Sequence, residues 1–586
     1  MNLTSFNSTL LGAFAPLGAA LAVPHLSLHA AVVLSSPGPT ICILLSIWVL
    51  MGVWPLVLMC RPVWRARRFP SNPTRLPPAE SELSVLTAGH LARIGKIGRN
   101  ANGRGVTRFA FTNAEDAAFA YAIEVLHSYG YTVEADHFGN LRARRMETRR
   151  KPRVMLITHM DSVADGGDYD GIVGFIVAVE AARIANAAGC RLGLEIVIFR
   201  AEESTRFGKA CLGSRAAFGF LRNEELDELR DTLNVGGTAT LRHALVKAGL
   251  DASKVGTASL DPGDFIASFE VHIEQARNLE RRGGGLGVVT SIRAPERRTV
   301  RVCGRRCLRA VAEIIRSVEA VAEIHARLLM DIVATVGRVE GFFIGADKIN
   351  AIPGSVTLPL ARPLTLAEMS VIRQLAEPRR VKVITDPWKP TSLQFKGVTD
   401  HSGATPMTRE HRHDALVAAA EAVSFLDEAV FCDPGEILIY IDVRSNFVPT
   451  RAHVWREMLK KIYEIRQRFD VDIHVSQPIE STDPIRSLDP DLQNLLMDSG
   501  RKLGINMTKL PSGAGHDSLI VAQAGVPSAM IFVPSVGGLS HCPEELTHTS
   551  DIVNAIRLQA TALQQLSRRW WTTGRRRSAI KDAILK

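Results

Sequence analysis

The chain has 586 residues, too many for one hydrophobic core, and its length suggests two to four domains. Hydrophobic residues at 46% and charged residues at 22% exclude a disordered protein. The net charge of +10 is dispersed except at 61–68 and 568–577, and no aromatic-interleaved basic platform accompanies it, which argues against a nucleic-acid partner.

In chain order, residues 1–60 contain no Lys, Arg, Asp or Glu. Within them, 40–60 is long enough to cross about 30 Å of hydrocarbon as a helix and reads as a transmembrane span. Arg61, Arg65, Arg67 and Arg68 follow at once and would hold the next domain on the cytoplasmic side, giving a membrane-anchored protein with a cytoplasmic catalytic domain. The alternative is a start-site artefact and a soluble cytoplasmic protein. Five prolines make 61–81 a linker. The eight cysteines form no CxxC pair and fit free thiols in a reducing compartment.

The globular part begins near Glu82, with an amphipathic helix over 83–97 and a second helix after the N-cap candidate Thr112. Residues 131–143 alternate as a strand. The apolar run 154–157 reads as a buried parallel strand that delivers His159 and Asp161 to the carboxyl end of a sheet, where α/β folds place their chemistry. Asp170 follows in a Gly-rich loop that opens a helix over 173–187. An imidazole and a carboxylate on one loop system suit a borderline cation such as zinc, with Asp161 placed to hold His159 in one tautomer. The strand 194–199 ends in Glu202 and Glu203. Adjacent carboxylates at a strand end point to different sides, so one can bind metal while the other handles protons; alone, they would read as a solvated acidic pair. His272 sits on a strand over 266–273, and His516 and Asp517 open a helix.

The stretches THMDSVADGGDYDG, FRAEESTRFGKACLGSRA, FEVHIEQA, PSGAGHDS and GGLSHCPEE, in this order, resemble the M20 metallohydrolases. Within them the likeness is to the amidase/hydantoinase/carbamoylase branch of N-carbamoyl-amino acid hydrolases, allantoate amidohydrolases and ureidopropionases. The resemblance implies two divalent ions sharing Asp170, one held by His159 and His272 and the other by Glu203 and His541, with His548 the competitor for the last place. Zinc or manganese, and equally cobalt or nickel, suit such mixed N/O ligands. It also implies that Glu202 is the general base acting on a water whose pKa the metals lower, and that Gln275 contacts substrate. Ala276 stands where the family has Gly. Arg108 and Phe109 match residues near the family's substrate pocket but are counted here as structural.

The middle of the chain departs from the family. One βαββαβ lid there carries a histidine loop, an RxDAL helix, a VATVG strand, an NxIPG turn and a DxR strand, in that order. Here VATVG (333–337) and NAIPG (350–354) come first, and DHSGATPM (400–407), RHDAL (412–416) and DVR (442–444) follow. A tandem duplication with complementary losses (299–391 and 392–480) explains this, as does a circular permutation. By resemblance His401 donates to the developing oxyanion, while Asn350 and an arginine bind the substrate carboxylate. Arg444 has the DxR motif; Arg362 follows NAIPG at the expected distance.

The fold expected is therefore α/β: a metallopeptidase-like catalytic domain in two parts, 82–298 and 481–567, around an α+β lid over 299–480, with a basic tail over 568–586. The function expected is a binuclear metal-dependent amidohydrolase that cleaves a linear C–N bond of an N-carbamoyl-amino acid, allantoate or related ureido acid. An aminoacylase or dipeptidase of the same family, or a non-catalytic membrane-tethered binding protein, is the alternative. A duplicated lid predicts a monomer with an intrachain lid pair; a homodimer joined through the lid is the other possibility.

Overall fold

A computed structural model of the chain describes residues 79–584 other than 147–151, 232, 346–350, 387–388, 409–410, 427–429 and 432–433. The expected transmembrane span at 40–60, most of the linker and Asn350 lie outside the described residues. Among the described residues, no helix is long and apolar enough to cross a membrane.

The first part of the catalytic domain opens with α1 (Glu80–Ile94), three residues earlier than the expected 83–97, and α2 (Asn113–Ser128). The stretch expected as one strand over 131–143 is instead an antiparallel pair, β1 (Thr132–Ala135) and β2 (Leu141–Arg144), because Gly139 at φ +87° turns the chain between them. Then come β3 (Arg153–His159), α3 (Ile172–Ala187), β4 (Gly193–Phe199), α4 (Leu212–Ala217), β5 (Phe265–Ile273) and β6 (Leu286–Ile292).

The lid follows as β7 (Ala294–Cys303), α5 (Cys307–Arg327), β8 (Val333–Glu340), β9 (Ala351–Ile352), β10 (Ser355–Pro359), α6 (Leu366–Ala376), β11 (Lys382–Asp386), β12 (Lys389–Lys396), β13 (Asp400–His401), α7 (Ala415–Phe425), β14 (Glu436–Ser445), α8 (Val448–Phe469), β15 (Asp472–Val475) and β16 (Glu480–Ser481). The second catalytic part supplies α9 (Pro490–Leu503), β17 (Met507–Ser512), α10 (Asp517–Gln523), β18 (Ser528–Val533) and α11 (Thr549–Ile584), which runs on into the expected basic tail.

The catalytic sheet has the order β1-β2-β4-β3-β5-β18-β6-β17. Its centre, β4-β3-β5-β18, is parallel and buried throughout, which is why those strands read as continuous apolar runs rather than alternating ones. Helix α3 is almost entirely buried against it, with α1 and α11 packed on α3.

The lid contains two larger sheets that interleave in sequence. One has the order β15-β7-β14-β8, with β16 also paired to β7. This is the strand arrangement of a complete βαββαβ unit made from β7, α5, β8, β14, α8 and β15. The other sheet, β10-β12-β11, lies wholly between β8 and β14 in the chain. The boundary expected at 391/392 therefore does not separate two sheets, since β14 and β15 beyond it pair with β7 before it, and β12 of the inner sheet runs across it. The inner unit is nested within the outer one, and the two share one hydrophobic core in which α7 packs on α5.

Candidate active site

His159 ends β3, and Glu202 and Glu203 follow β4. His272 lies near the end of β5, and His541 is in the loop after β18. All are buried, and all stand at the carboxyl ends of parallel strands. Asp170 is the hub. Its Oδ1 lies 2.8 Å from His272 Nε2 and 3.6 Å from His159 Nε2, and its Oδ2 lies 3.3 Å from His541 Nε2. Glu203 Oε1 is 3.3 Å from the same His541 nitrogen. Two ligand triads result, His159–Asp170–His272 and Asp170–Glu203–His541, each with its donor atoms within 4.8 Å of one another.

The backbone is bent to hold this cluster. Gly171, at φ +70°, is required beside Asp170, because a Cβ there would meet the His159 carbonyl at 2.6 Å and its ring at 2.7 Å. Glu545 clamps the same loop, accepting hydrogen bonds from the N–H groups of Tyr169 (2.8 Å) and Asp170 (3.0 Å). Its burial pushes its carboxyl up to about 8. Asp161 accepts from the N–H of Glu202 (3.2 Å) and Glu203 (3.1 Å) while its Oδ1 lies 3.3 Å from His159 Nδ1. One carboxylate thus fixes the orientation of the imidazole and of the acidic pair. Ala201, at φ +53°, makes the turn that sends Glu202 and Glu203 to different places.

The donor set suits a pair of divalent cations. His159 Nε2 is buried and makes no hydrogen bond, its nearest carboxylate oxygen being Asp170 Oδ1 at 3.6 Å, a costly arrangement unless a ligand occupies it. Burial alone would raise the Asp170 carboxyl, yet the His272 charge and contacts with three imidazoles hold it well below the ordinary range. Glu202 goes the other way. Burial, only partly offset by His159 and reinforced by Glu203, lifts it well above a normal carboxyl, as befits a proton carrier rather than a charge partner.

The histidine loop of the lid reaches this cluster within the same chain. The His401 ring lies 5.1 Å from that of His541, edge to face. The N–H groups of Gly403 (3.2 Å) and Ala404 (3.1 Å) donate to His401 Nδ1, which leaves the proton on Nε2. Burial and the neighbouring Arg444 keep the ring neutral. Arg444 lines the same pocket and is held by Asp442 through Nη2 at 2.8 Å. Arg362 does not line it; that side chain pairs with Glu368 at the start of α6. Gln275 donates from Nε2 to Asp170 Oδ2 at 3.0 Å. His548 is exposed and belongs to neither triad. Arg108 is fully buried and donates to the carbonyls of Met160 and Ile97, a structural role.

Sequence reasoning assigned no role to four side chains here. Arg215 and Arg297 line the pocket and are bridged by Glu480, at 3.1 and 2.5 Å, while Arg297 also meets Asp442 at 3.3 Å. The GSRA motif contained Arg215, but Arg297 and Glu480 flank the lid and carry no local signal. The His516 ring lies tilted against that of His272, with ring centres 4.4 Å apart, and its Nε2 lies 3.0 Å from Ser512 Oγ.

Residues 155–565 match peptidase family M20/M25/M40. An N-carbamoyl-L-amino-acid amidohydrolase of a Pseudomonas species is 26% identical over 80% of this chain and 95% of its own length. A ureidoglycolate hydrolase of Arabidopsis thaliana is 27% identical, covering 83% of this chain and 88% of its own. Among solved structures, a hydantoinase/carbamoylase family amidase from Burkholderia vietnamiensis superposes with a TM-score of 0.60 at 21% identity, over 82% of this chain and 97% of its own.

Proposed function

Because this chain is a hydrolase belonging to peptidase family M20/M25/M40, we propose that it cleaves a linear, non-peptide C–N bond of an N-carbamoyl-amino acid or ureido acid. The observation that carries this reading is the pair of triads sharing Asp170, with the raised carboxyl of Glu202 beside them. The relatives, which are hydrolases of carbamoyl and ureido compounds, support the bond type.

His159, Asp170 and His272 would hold one divalent ion, and Asp170, Glu203 and His541 a second; zinc and manganese both suit these ligands. Such ions supply Lewis acidity at the scissile carbonyl. Glu202 takes a proton from the attacking water and returns it to the leaving nitrogen. His401 donates its Nε2 proton to the oxygen on which charge develops. Arg444, aligned by Asp442, pairs with the substrate carboxylate. A binding protein without catalysis has no need of a buried base at this position. His401 acts within its own chain, which supports a working monomer.

Metal-reconstituted protein assayed for ammonia release on N-carbamoyl-amino acids, ureidopropionate, allantoate and ureidoglycolate tests the reading. Release of amino acid from N-acetyl-amino acids or dipeptides, with no ammonia from any ureido compound, would replace it with an aminoacylase or dipeptidase.

A further inference from the structure

Arg215, Glu480, Arg297, Asp442 and Arg444 are all buried, and all but Asp442 line the pocket over the triads. They form one chain of ion pairs that runs from the catalytic domain into the lid. Arg215, on α4, donates through Nη2 to Glu480 Oε1 at 3.1 Å and to Thr482 Oγ1 at 2.7 Å. Glu480 lies on β16, where the chain leaves the lid, and its Oε2 accepts from Nη1 of Arg297, on β7, at 2.5 Å. Arg297 Nε lies 3.3 Å from Oδ2 of Asp442, on β14. That same oxygen accepts from Arg444 Nη2 at 2.8 Å and from the hydroxyl of Ser402, beside His401, at 3.4 Å.

The contacts of Arg444 with Asp442 and Ser402 are made through Nε and Nη2, which leaves Nη1 to the pocket. Its stem is packed against the histidine loop, since a Cβ on Gly403 would stand 2.5 Å from Arg444 Cδ. The aim of the guanidinium therefore depends on Asp442 Oδ2, an oxygen that Arg297 shares. Glu480 decides how the sharing falls. With its carboxylate between them, Arg215 and Arg297 are both compensated, and Arg297 stands back from Asp442. Without that charge two buried guanidinium groups lose their common partner, a strongly unfavourable state. Arg297 then closes on Asp442 and displaces Arg444.

We propose that Glu480 is a positioning residue for carboxylate recognition: it holds Arg297 off Asp442 and so keeps Arg444 aimed at the carboxylate of the substrate. Arg215 fixes Glu480 from the side of the catalytic domain. This rests on the amidohydrolase reading, in which Arg444 meets that carboxylate, and adds the residue that sets its aim.

The test measures kcat and KM of the full-length, metal-loaded protein on N-carbamoyl-L-alanine, with and without Glu480→Gln, in the unsubstituted chain and in Arg444→Ala. A contact remote from the reacting bond acts alike on ground state and transition state, so Glu480→Gln should raise KM about 10-fold with kcat within roughly threefold. KM is read on the active molecules alone, so partial unfolding does not move it. In Arg444→Ala, which lacks the group that Glu480 positions, the same substitution should change KM by less than about threefold, because the two residues act through one contact. An unchanged KM in Glu480→Gln, or equal factors in the two backgrounds, would overturn the proposal. Should Glu480→Gln fail to fold, Glu480→Asp, which keeps the charge but is too short to span both arginines, takes its place under the same criteria. If only N-acetyl-amino acids are hydrolysed, the carbamoyl reading fails, and the same KM comparison on those substrates, which carry the same carboxylate, still decides Glu480. If nothing is hydrolysed, calorimetry with N-carbamoyl-L-alanine decides it: weaker binding to Glu480→Gln by about 10-fold supports the role, and equal binding, or none to the unsubstituted protein, overturns it.

Discussion

Gly403 of the lid and Gly513 of the catalytic domain meet backbone to backbone. A Cβ on Gly403 would stand 2.4 Å from the Gly513 carbonyl oxygen, and one on Gly513 would stand 2.4 Å from that of Gly403. This contact, together with the Arg293 hydrogen bond to the Gly403 carbonyl, seats the loop that carries His401.

Gly513→Ala should therefore unseat the loop while leaving the triads intact. The expected result is a fall in kcat of about 10²-fold, the size of losing one oxyanion donor, with both metals retained by elemental analysis. Full activity in this variant would mean that the loop does not seat here during turnover.

Glu202→Ala should keep its metals and lose about 10² to 10⁴ in rate, since the side chain moves protons and ligates nothing. Metal content falling in step with activity would make Glu202 a ligand instead.

His541→Ala should lose about one of two metals per chain, because His541 stands 3.3 Å from both Glu203 and Asp170, whereas His548→Ala should lose none. An unchanged metal count in His541→Ala would move the role to another residue.

A His401→Ala chain mixed with a Glu202→Ala chain should recover no activity if the monomer proposal holds, since His401 lies beside His541 of the same polypeptide. Light scattering should report a monomer. Completing the site within one chain avoids the association cost of several kcal/mol that a dimer must overcome. Activity regained on mixing, with a dimer mass, would show the histidine working in trans.

The catalytic domain was legible because its signals are local. An apolar strand followed at once by His159, or by Glu202 and Glu203, places a side chain at a sheet edge with little help from the rest of the fold. The split of β1 from β2 was missed because residues 131–143 keep their alternation through a turn set by the single residue Gly139. The lid was legible in its pieces but not in its assembly. The changed order of the motifs suggested two consecutive halves, yet β7 pairs with β14, its partner more than a hundred residues away, and β12 pairs with β10 and β11. Strand partners are chosen by packing across the whole unit, which repeats in sequence do not specify. For the same reason Arg297, Asp442 and Glu480, brought together from three strands, could not be read as a group.

The place of β14 between β7 and β8 also sets an order of events during synthesis. Those two flanking strands leave the ribosome early, but the strand that joins them follows only after residues 341–435 have been made, a wait on the order of ten seconds at ordinary elongation rates. Throughout that interval the nascent chain carries two unpaired strand edges and the apolar face of α5, so its yield in cells should depend on holdase chaperones and on translation speed across the insertion far more than on the stability of the finished protein.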